Sequence, residues 1–236
     1  PFKVKIDRLI RGGFIATYGD CVECFLPGAH AAPNVIYDFE SYVGKEIDVL
    51  IDNYDKTSNY YVVSHKKYIK HVLPTNIHNL EFGKKYTGTL TSDPTKFGMF
   101  VEFENIFTGL IHIAEFDNYE SESKKFKTGD SIDFYITRIS TKDGENFKIN
   151  LTTRPEKIDE TTQLWMGYKK TLEGNVFNYR YDKDSSTLEM LDDNDDVVFD
   201  IYLDEEVIAP YLKISDKLQV TRVDIIDKNA SFNLLQ

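Results

Sequence analysis

Cysteine and histidine, two common metal ligands, are few in this sequence, and the acidic residues lack the spacing of a known metal site. Cys21 and Cys24 form the Cys-x-x-Cys half of a zinc site, but a closed tetrahedral site needs four ligands and the chain has no other cysteine. The acidic run at residues 192–196 carries carboxylates suited to calcium, but not the ligand spacing of an EF-hand loop. We interpret this run as the tip of a hairpin, and we predict no metal and no cofactor.

The sequence also lacks the motifs of common catalytic centres. It contains no Gly-x-Ser-x-Gly nucleophile elbow, no Gly-Lys-Ser/Thr phosphate loop and no paired-histidine metal motif. No apolar run approaches the roughly 20 residues that cross a bilayer. Two cysteines are too few for a disulfide framework, which is typical of a reducing compartment. We therefore predict a non-enzymatic, cytoplasmic protein with no membrane contact.

Charge is distributed unevenly along the chain. The formal net charge of −11 opposes simple electrostatic capture of a polyanion. Residues 1–79 carry nine basic and nine acidic side chains, residues 80–154 carry ten and twelve, and residues 155–236 carry nine and eighteen. The first two thirds can therefore present basic faces, whereas the last third is a poor candidate for phosphate contact.

One sequence pattern occurs three times, and each copy begins with a turn, at residues 44, 129 and 215. After each turn come an alternating apolar strand, a polar turn and a closing strand. In the second copy Ile132, Phe134 and Ile136 share one face, which is the period-two pattern of a half-buried strand. The nearly constant spacing indicates an array of similar units.

Each unit is predicted to be a small five-stranded barrel. Two strands meet at a glycine-containing bend, at Gly12-Gly13 in the first unit and at Gly98 in the second, and a third strand and the recurring hairpin follow. Glycine at these bends suits the sharp coiling of strands in a small barrel. We predict an all-β chain with barrels at residues 1–72, 80–154 and 168–236. The linkers would run from Lys66 to Leu80 and from Arg154 to Lys170, and the second would hold a short helix around Trp165.

Ordered sequence blocks in the second unit carry a family resemblance. They are Tyr86 to Leu90 (YTGTL), Phe97 to Val101 (FGMFV), Thr108 to Glu115 (TGLIHIAE), Phe126 to Asp130 (FKTGD) and Ile149 to Thr152 (INLT). Their order and spacing resemble the S1 domain family, the RNA-binding repeats of the largest protein of the bacterial small ribosomal subunit. The resemblance implies tandem oligonucleotide-binding (OB) folds, two of them clear and the acidic third degenerate.

The resemblance also implies which residues of the second unit bind nucleic acid. In the family, two signature aromatics and a histidine lie on the open face of the barrel, and these positions correspond to Phe97, Phe100 and His112. Such rings stack on unpaired bases, at about 1–3 kcal/mol per base.

Phosphate contacts would come from basic side chains around these rings. A family position that is usually Arg falls near Lys148, which keeps the charge but not the bidentate geometry, and the usual Asp falls near Ser140. Lys96 and Arg138 would supplement Lys148.

The first unit resembles a different variant of the same family. Residues 9–15 and 25–30 match its Gly-Gly and Phe-Leu-Pro-Gly forms, which aligns Arg11 with the first aromatic, Phe14 with the second and Pro27 with the histidine. The guanidinium plane of Arg11 can still stack. Lys66 and Lys67, in a basic run of the linker, would guide a strand from one barrel to the next.

We therefore predict that the first two barrels bind single-stranded RNA in a role linked to translation. The acidic third barrel would dock a protein partner or act as a spacer. The alternative is a structural or assembly protein that uses its OB barrels as protein-interaction modules. Excess acid and the missing hairpin Arg favour this alternative. The combination of units also resembles phage-encoded relatives, which would place the chain in a virion.

Overall fold

The computed structural model describes residues 1–19, 21–33, 36, 38–57, 59–212, 217–227 and 229–235. The predicted turn at residues 215–216 lies outside this set. The chain forms two compact units, residues 1–136 with 140–155, and residues 137–139 with 156–236. Among the described residues, no helix combines the length and the apolar character needed to cross a membrane.

The first barrel is a closed five-stranded sheet with the strand order β1-β2-β3-β5-β4. Its strands are β1 (Phe2–Ile10), β2 (Gly13–Tyr18), β3 (Val22–Pro27), β4 (Glu46–Asp55) and β5 (Tyr60–Ser64), with short 3-10 turns at Gly28–His30 and Glu40–Tyr42. β1 and β4 pair antiparallel, whereas β3 and β5 pair in parallel. This is the order of an OB barrel, and its interior is filled by Val4, Ile6, Phe14, Leu26 and Val49.

The predicted first linker is largely helical. Helix α1 (His65–Asn76) follows β5 directly, and a 3-10 turn at Ile77–Asn79 continues it. The Ser64 hydroxyl accepts a hydrogen bond from the backbone N–H of Lys67 at 3.0 Å, which is an N-cap. Ile69 and Ile77 are buried. This cap and the burial of one apolar face explain why a polar segment that contains Pro74 is ordered.

The second barrel repeats the arrangement of the first, with the strand order β10-β8-β7-β6-β9. Its elements are β6 (Tyr86–Leu90), β7 (Gly98–Phe103), β8 (Phe107–His112), α2 (Tyr119–Glu122), β9 (Ser131–Thr141) and β10 (Phe147–Thr152), with 3-10 turns at Ile113–Glu115, Ser123–Lys125 and Pro155–Lys157. Ile132, Phe134 and Ile136 are buried together, which confirms their predicted common face. Tyr86 and Phe103 pack their rings on Phe134.

The third sheet has five strands but is not closed like the other two. Its elements are α3 (Glu160–Leu172), β11 (Val176–Asp182), β12 (Thr187–Leu191), β13 (Val197–Tyr202), α4 (Glu205–Leu212), β14 (Lys217–Ile226) and β15 (Asn229–Leu235). The strand order is β13-β12-β11-β14-β15, and between the described residues of β13 and β15 there is no backbone pairing. The fold class is therefore confirmed, with two clear barrels and a degenerate third.

Aromatic side chains bridge the open seam of the third sheet. Phe199 of β13 lies 5.2 Å from Phe232 of β15, measured between ring centroids. Trp165 of α3 lies 6.3 Å from Phe199 and 6.2 Å from Phe232. The helix predicted around Trp165 thus covers the seam, where burial of aromatic area takes the place of hydrogen-bonded closure.

Gly98 marks the closest approach of two strands in the second barrel. It has φ +136°, and a Cβ there would collide with the Ile111 carbonyl oxygen and lie 3.0 Å from the His112 Cα. Gly13 is crowded in the same way by Leu26 and Gly28 in the first barrel. A side chain at either position would force the two paired strands apart.

We expect Gly98→Ala to destabilise the second barrel by about 1–3 kcal/mol, because the added methyl group overpacks the β7–β8 pair. Gly167→Ala is the control, since Gly167 lies inside α3 with no atom near its virtual Cβ. That change should stabilise by about 0.5–1 kcal/mol. Differential scanning calorimetry measures both, and an unchanged transition in Gly98→Ala would contradict the close approach.

Candidate nucleic-acid interface

Phe97 is presented by a tight turn that precedes β7. The backbone groups of Thr95 and Gly98 exchange hydrogen bonds of 3.0 and 3.2 Å. The Thr95 hydroxyl also accepts from the Phe97 N–H at 3.3 Å. Phe97 is 56% exposed, and the Lys96 ammonium lies 5.0 Å from its ring centroid. An apolar ring is thus exposed to solvent next to a cation. The turn restrains the backbone around Phe97, which reduces the conformational entropy that would be lost on binding.

The outer face of β7 and β8 carries the other two predicted residues. Met99, Val101 and Phe103 alternate into the core, so Phe100 lies half-buried on the opposite face. His112 is exposed at the end of β8, where it pairs with Gly98. The structure therefore places Phe100 and His112 on the outer face of β7 and β8, and Phe97 is exposed in the turn that precedes β7.

Backbone contacts fix the orientation of His112. Its Nδ1 accepts a hydrogen bond from the Ala114 N–H at 3.2 Å. In the neutral ring the proton consequently resides on Nε2, which leaves this nitrogen able to donate to a phosphate or to a base edge.

Two residues of the same face were not predicted from the sequence. Phe100 pairs with Leu110 on β8, and Leu110 pairs in parallel with Asn150 on β10. Leu110 is half-buried and Asn150 is exposed. The alternation of residues in the blocks at 108–115 and 149–152 could have predicted that Leu110 and Asn150 face outward, because each lies between two inward-facing residues. Lys148, also exposed, lies two residues before Asn150 on the same face.

Arg138 lies on β9 and is exposed. Residues 137–139 cluster with the second compact unit, in which the Arg138 guanidinium pairs with the Asp227 carboxylate at 3.1 Å. This ion pair occupies part of the guanidinium, so a role in phosphate binding remains a prediction.

The prediction for Phe14 is wrong. Phe14 is 0% exposed and packs its ring against Phe39 and Tyr42 in the core. Gly13 pairs with Pro27 as Gly98 pairs with His112, so Phe14 corresponds to the buried Met99. Our alignment was displaced by one residue, and in a strand such a displacement exchanges the two faces.

The corrected correspondence leaves the first barrel without rings at the positions of Phe97 and Phe100. Gly12 takes the position of Phe97, and Ile15, only 5% exposed, takes that of Phe100. Arg11 corresponds to Lys96 and is exposed in the turn between β1 and β2. It therefore remains available as a cation. The exposed ring pair of the first barrel lies elsewhere, at Tyr54 of β4 and Tyr61 of β5, with centroids 5.0 Å apart.

The basic run of the predicted linker lies on α1. Lys66 and Lys67 are exposed in its first turn. The Lys67 ammonium lies 3.3 Å from the Asp52 carboxylate, and Lys70 lies 3.3 Å from Glu145 on the β9–β10 hairpin. Both pairs lie inside the first compact unit, and the second joins α1 to the second barrel; both are exposed and contribute little to stability.

Glu102 marks the boundary of the open face towards the first barrel. Burial raises the pKa of its carboxyl group, and the charges of His65 and Lys45 partly oppose this rise. The same carboxylate, together with burial, raises the pKa of Tyr42. Glu102 therefore lies near Tyr42 and Lys45 of the first barrel, on the part of β7 away from Phe97.

No metal centre is evident within the described part of the chain, where no group of three or more His, Cys, Asp or Glu side chains is suitably arranged. Cys21 is exposed, and burial raises the pKa of the Cys24 thiol. The acidic run forms the predicted hairpin tip between β12 and β13. There the Asp192 carboxylate accepts hydrogen bonds from the backbone N–H groups of Asp196 and Asn194, which lowers its pKa.

Asp143 organises the hairpin that precedes Lys148. Its carboxylate accepts hydrogen bonds from the N–H groups of Asn146 and Glu145 at 2.8 and 3.0 Å. The Asn146 side-chain amide donates to it at 2.6 Å. These donors lower the pKa of Asp143 from 3.8 to about 2.

We expect the Asp143 carboxylate to stabilise this hairpin at every pH above its unfolded pKa of 3.8, and to lose that effect as the pH falls through about 2. The sign follows because the folded state holds the charged form. NMR titration of the carboxyl carbon measures the folded pKa directly. A midpoint near 3.8 would show that the donors do not hold the charge.

Comparison with known proteins agrees with this geometry. Residues 80–152 match the model of the S1 RNA binding domain. A small ribosomal subunit protein bS1 homolog of Bacillus subtilis is 22% identical over 97% of this chain and 59% of its own length. Its counterpart in Bacillus cereus is 26% identical over 65% of this chain and 40% of its own length.

A third relative carries the name of an enzyme. The 4-hydroxy-3-methylbut-2-enyl diphosphate reductase of Clostridium acetobutylicum is 30% identical over 64% of this chain but only 24% of its own length. The chain thus spans between a quarter and three fifths of these relatives, and a match to a quarter of a reductase assigns no reductase activity. The second barrel, residues 80–152, belongs to the S1 RNA-binding domain family.

Proposed function

We propose that the chain binds single-stranded RNA, chiefly on the outer face of the second barrel. The observation that carries this proposal is the exposed ring of Phe97 beside half-buried Phe100 and exposed His112. An unpaired base can stack on such a ring, whereas the bases of a duplex are already stacked on one another.

Lys96 and Lys148 supply the phosphate contacts in this proposal. Both are exposed, Lys96 beside the Phe97 ring and Lys148 on β10. Asn150 is exposed on β10, where it pairs with Leu110, and its side chain can hydrogen-bond to a base edge or to a 2′-hydroxyl. Affinity would then come from stacking with few cations, which suits a chain of net charge −11.

The first barrel contributes differently. Without rings at the positions of Phe97 and Phe100, it offers Arg11, Lys66 and Lys67 as cations to a strand that leaves the second barrel. The relatives named as ribosomal proteins support a non-enzymatic, cytoplasmic role linked to translation. The acidic unit at residues 155–236, with nine basic and eighteen acidic side chains, would repel RNA and is better suited to a protein partner or to spacing.

We expect Phe97→Ala to weaken binding of a labelled oligouridylate by about fivefold to a hundredfold, the equivalent of one stacked base. Tyr202→Ala is the matched control, because Tyr202 is an exposed aromatic of the third sheet. Fluorescence anisotropy at low salt measures the affinity, and circular dichroism checks the fold. If the native chain bound no tighter than about 10⁻⁴ M, or if both variants lost affinity equally, the proposal would fail.

We expect Lys148→Ala to weaken RNA binding whatever the base sequence. It should also flatten the plot of log affinity against log salt by about 0.7, which is the loss of one phosphate contact to a single strand. Lys183→Ala, at an exposed lysine of the acidic unit, is the control. A salt dependence that is the same in Lys148→Ala and in the native chain would remove Lys148 from the interface.

A further inference from the structure

A cleft of about 840 Å³ opens beside the stacking face of the second barrel. One wall is the turn at residues 94–96, and the other is the segment from His112 to Lys124. Lys96 and His112 line the cleft and also flank the exposed ring of Phe97, so the cleft continues the proposed interface.

Contacts between its two walls set the shape of the cleft. The Tyr119 hydroxyl donates a hydrogen bond to the Thr95 carbonyl oxygen at 2.7 Å, which joins the two walls. Phe116 packs its ring 5.3 Å from that of Tyr119. Ile113 is exposed and Phe116 is half-buried, and together they form an apolar surface. A ligand would therefore meet a preformed site with a flat apolar wall.

Positive charge lies on both sides of the opening. Lys96 and Lys124 are exposed lining residues, and among the described residues neither has a carboxylate within 4.0 Å of its ammonium. Of the two carboxylates in the lining, Asp117 accepts two hydrogen bonds of 2.8 Å from the Arg154 guanidinium, which offsets its charge. Glu120 is the other, and it is exposed.

We propose that this cleft is a second nucleotide site, which takes the part of the same RNA strand that leaves the stacking face. A phosphate would lie between Lys96 and Lys124, and the adjoining base would pack on Ile113 and Phe116. The volume lies within the range of about 300–1,000 Å³ typical of ligand sites. This inference rests on the proposed function, because the strand must first be held by Phe97 and Phe100.

Oligonucleotide length separates the cleft from the stacking face. The full chain is titrated with a uridine tetranucleotide, which the stacking face alone can hold, and with a decanucleotide, which reaches the cleft. OB folds occupy about 4–16 nucleotides. We expect Lys124→Ser to weaken binding of the decanucleotide by about fivefold and to leave binding of the tetranucleotide unchanged. The ratio of decanucleotide affinity to tetranucleotide affinity should therefore fall. Glu120→Gln should raise that ratio, because it removes the remaining negative charge of the cleft.

Lys125→Ser is the matched control, since Lys125 is an exposed neighbour that does not line the cleft. Equal losses in Lys124→Ser and Lys125→Ser would overturn the cleft site and leave the stacking face intact. An unchanged ratio in Lys124→Ser would do the same. Failure of the native chain to bind either oligonucleotide more tightly than about 10⁻⁴ M would instead overturn the proposed function, and the cleft site with it.

Discussion

The close approach of β7 and β8 at Gly98 is the constraint on which the proposed interface depends. A Cβ at this position would collide with the Ile111 backbone, so the two strands can reach their register only with glycine there. The register then decides the direction of each neighbouring side chain, with Met99 inside and Phe100 outside. It also makes β7 begin directly after the turn that exposes Phe97. Packing of the barrel and presentation of the rings therefore have one physical cause.

The first barrel shows that this scaffold does not by itself specify a binding surface. Gly13 makes the same close approach, and the strand order is the same. The positions that carry rings in the second barrel hold Gly12 and the buried Ile15 in the first. A shared fold thus supports different surfaces, and function has to be argued from the side chains of each copy. The exposed Lys70–Glu145 ion pair joins α1 to the second barrel, which agrees with a supporting role for the first barrel.

Charge and closure distinguish the third unit from the two barrels. Its surplus of carboxylates repels a polyanion. In the two barrels backbone hydrogen bonds close the sheet, whereas here Phe199 and Phe232 bridge the open seam and Trp165 covers them. Loss of the pairing of the third strand with the fifth leaves the repeat spacing visible in the sequence, because the hairpins that define the repeat are retained. The sequence repeat is therefore recognisable in the third unit, although its sheet is not a closed barrel.

The sequence by itself determined the array, the five-stranded units, the buried face of Ile132, Phe134 and Ile136, and the hairpin tip of the acidic run, because each follows from a short-range pattern of alternation or turn residues. The family blocks also indicated Phe97, Phe100 and His112. Tertiary structure decided the rest. Gly13 pairs with Pro27 and the buried Phe14 pairs with Leu26, so Phe14 points inward; an apolar run such as Phe14 to Ala16 does not reveal this one-residue difference. The cleft between residues 94–96 and 112–124 exists only because β-pairing brings together segments far apart in the chain.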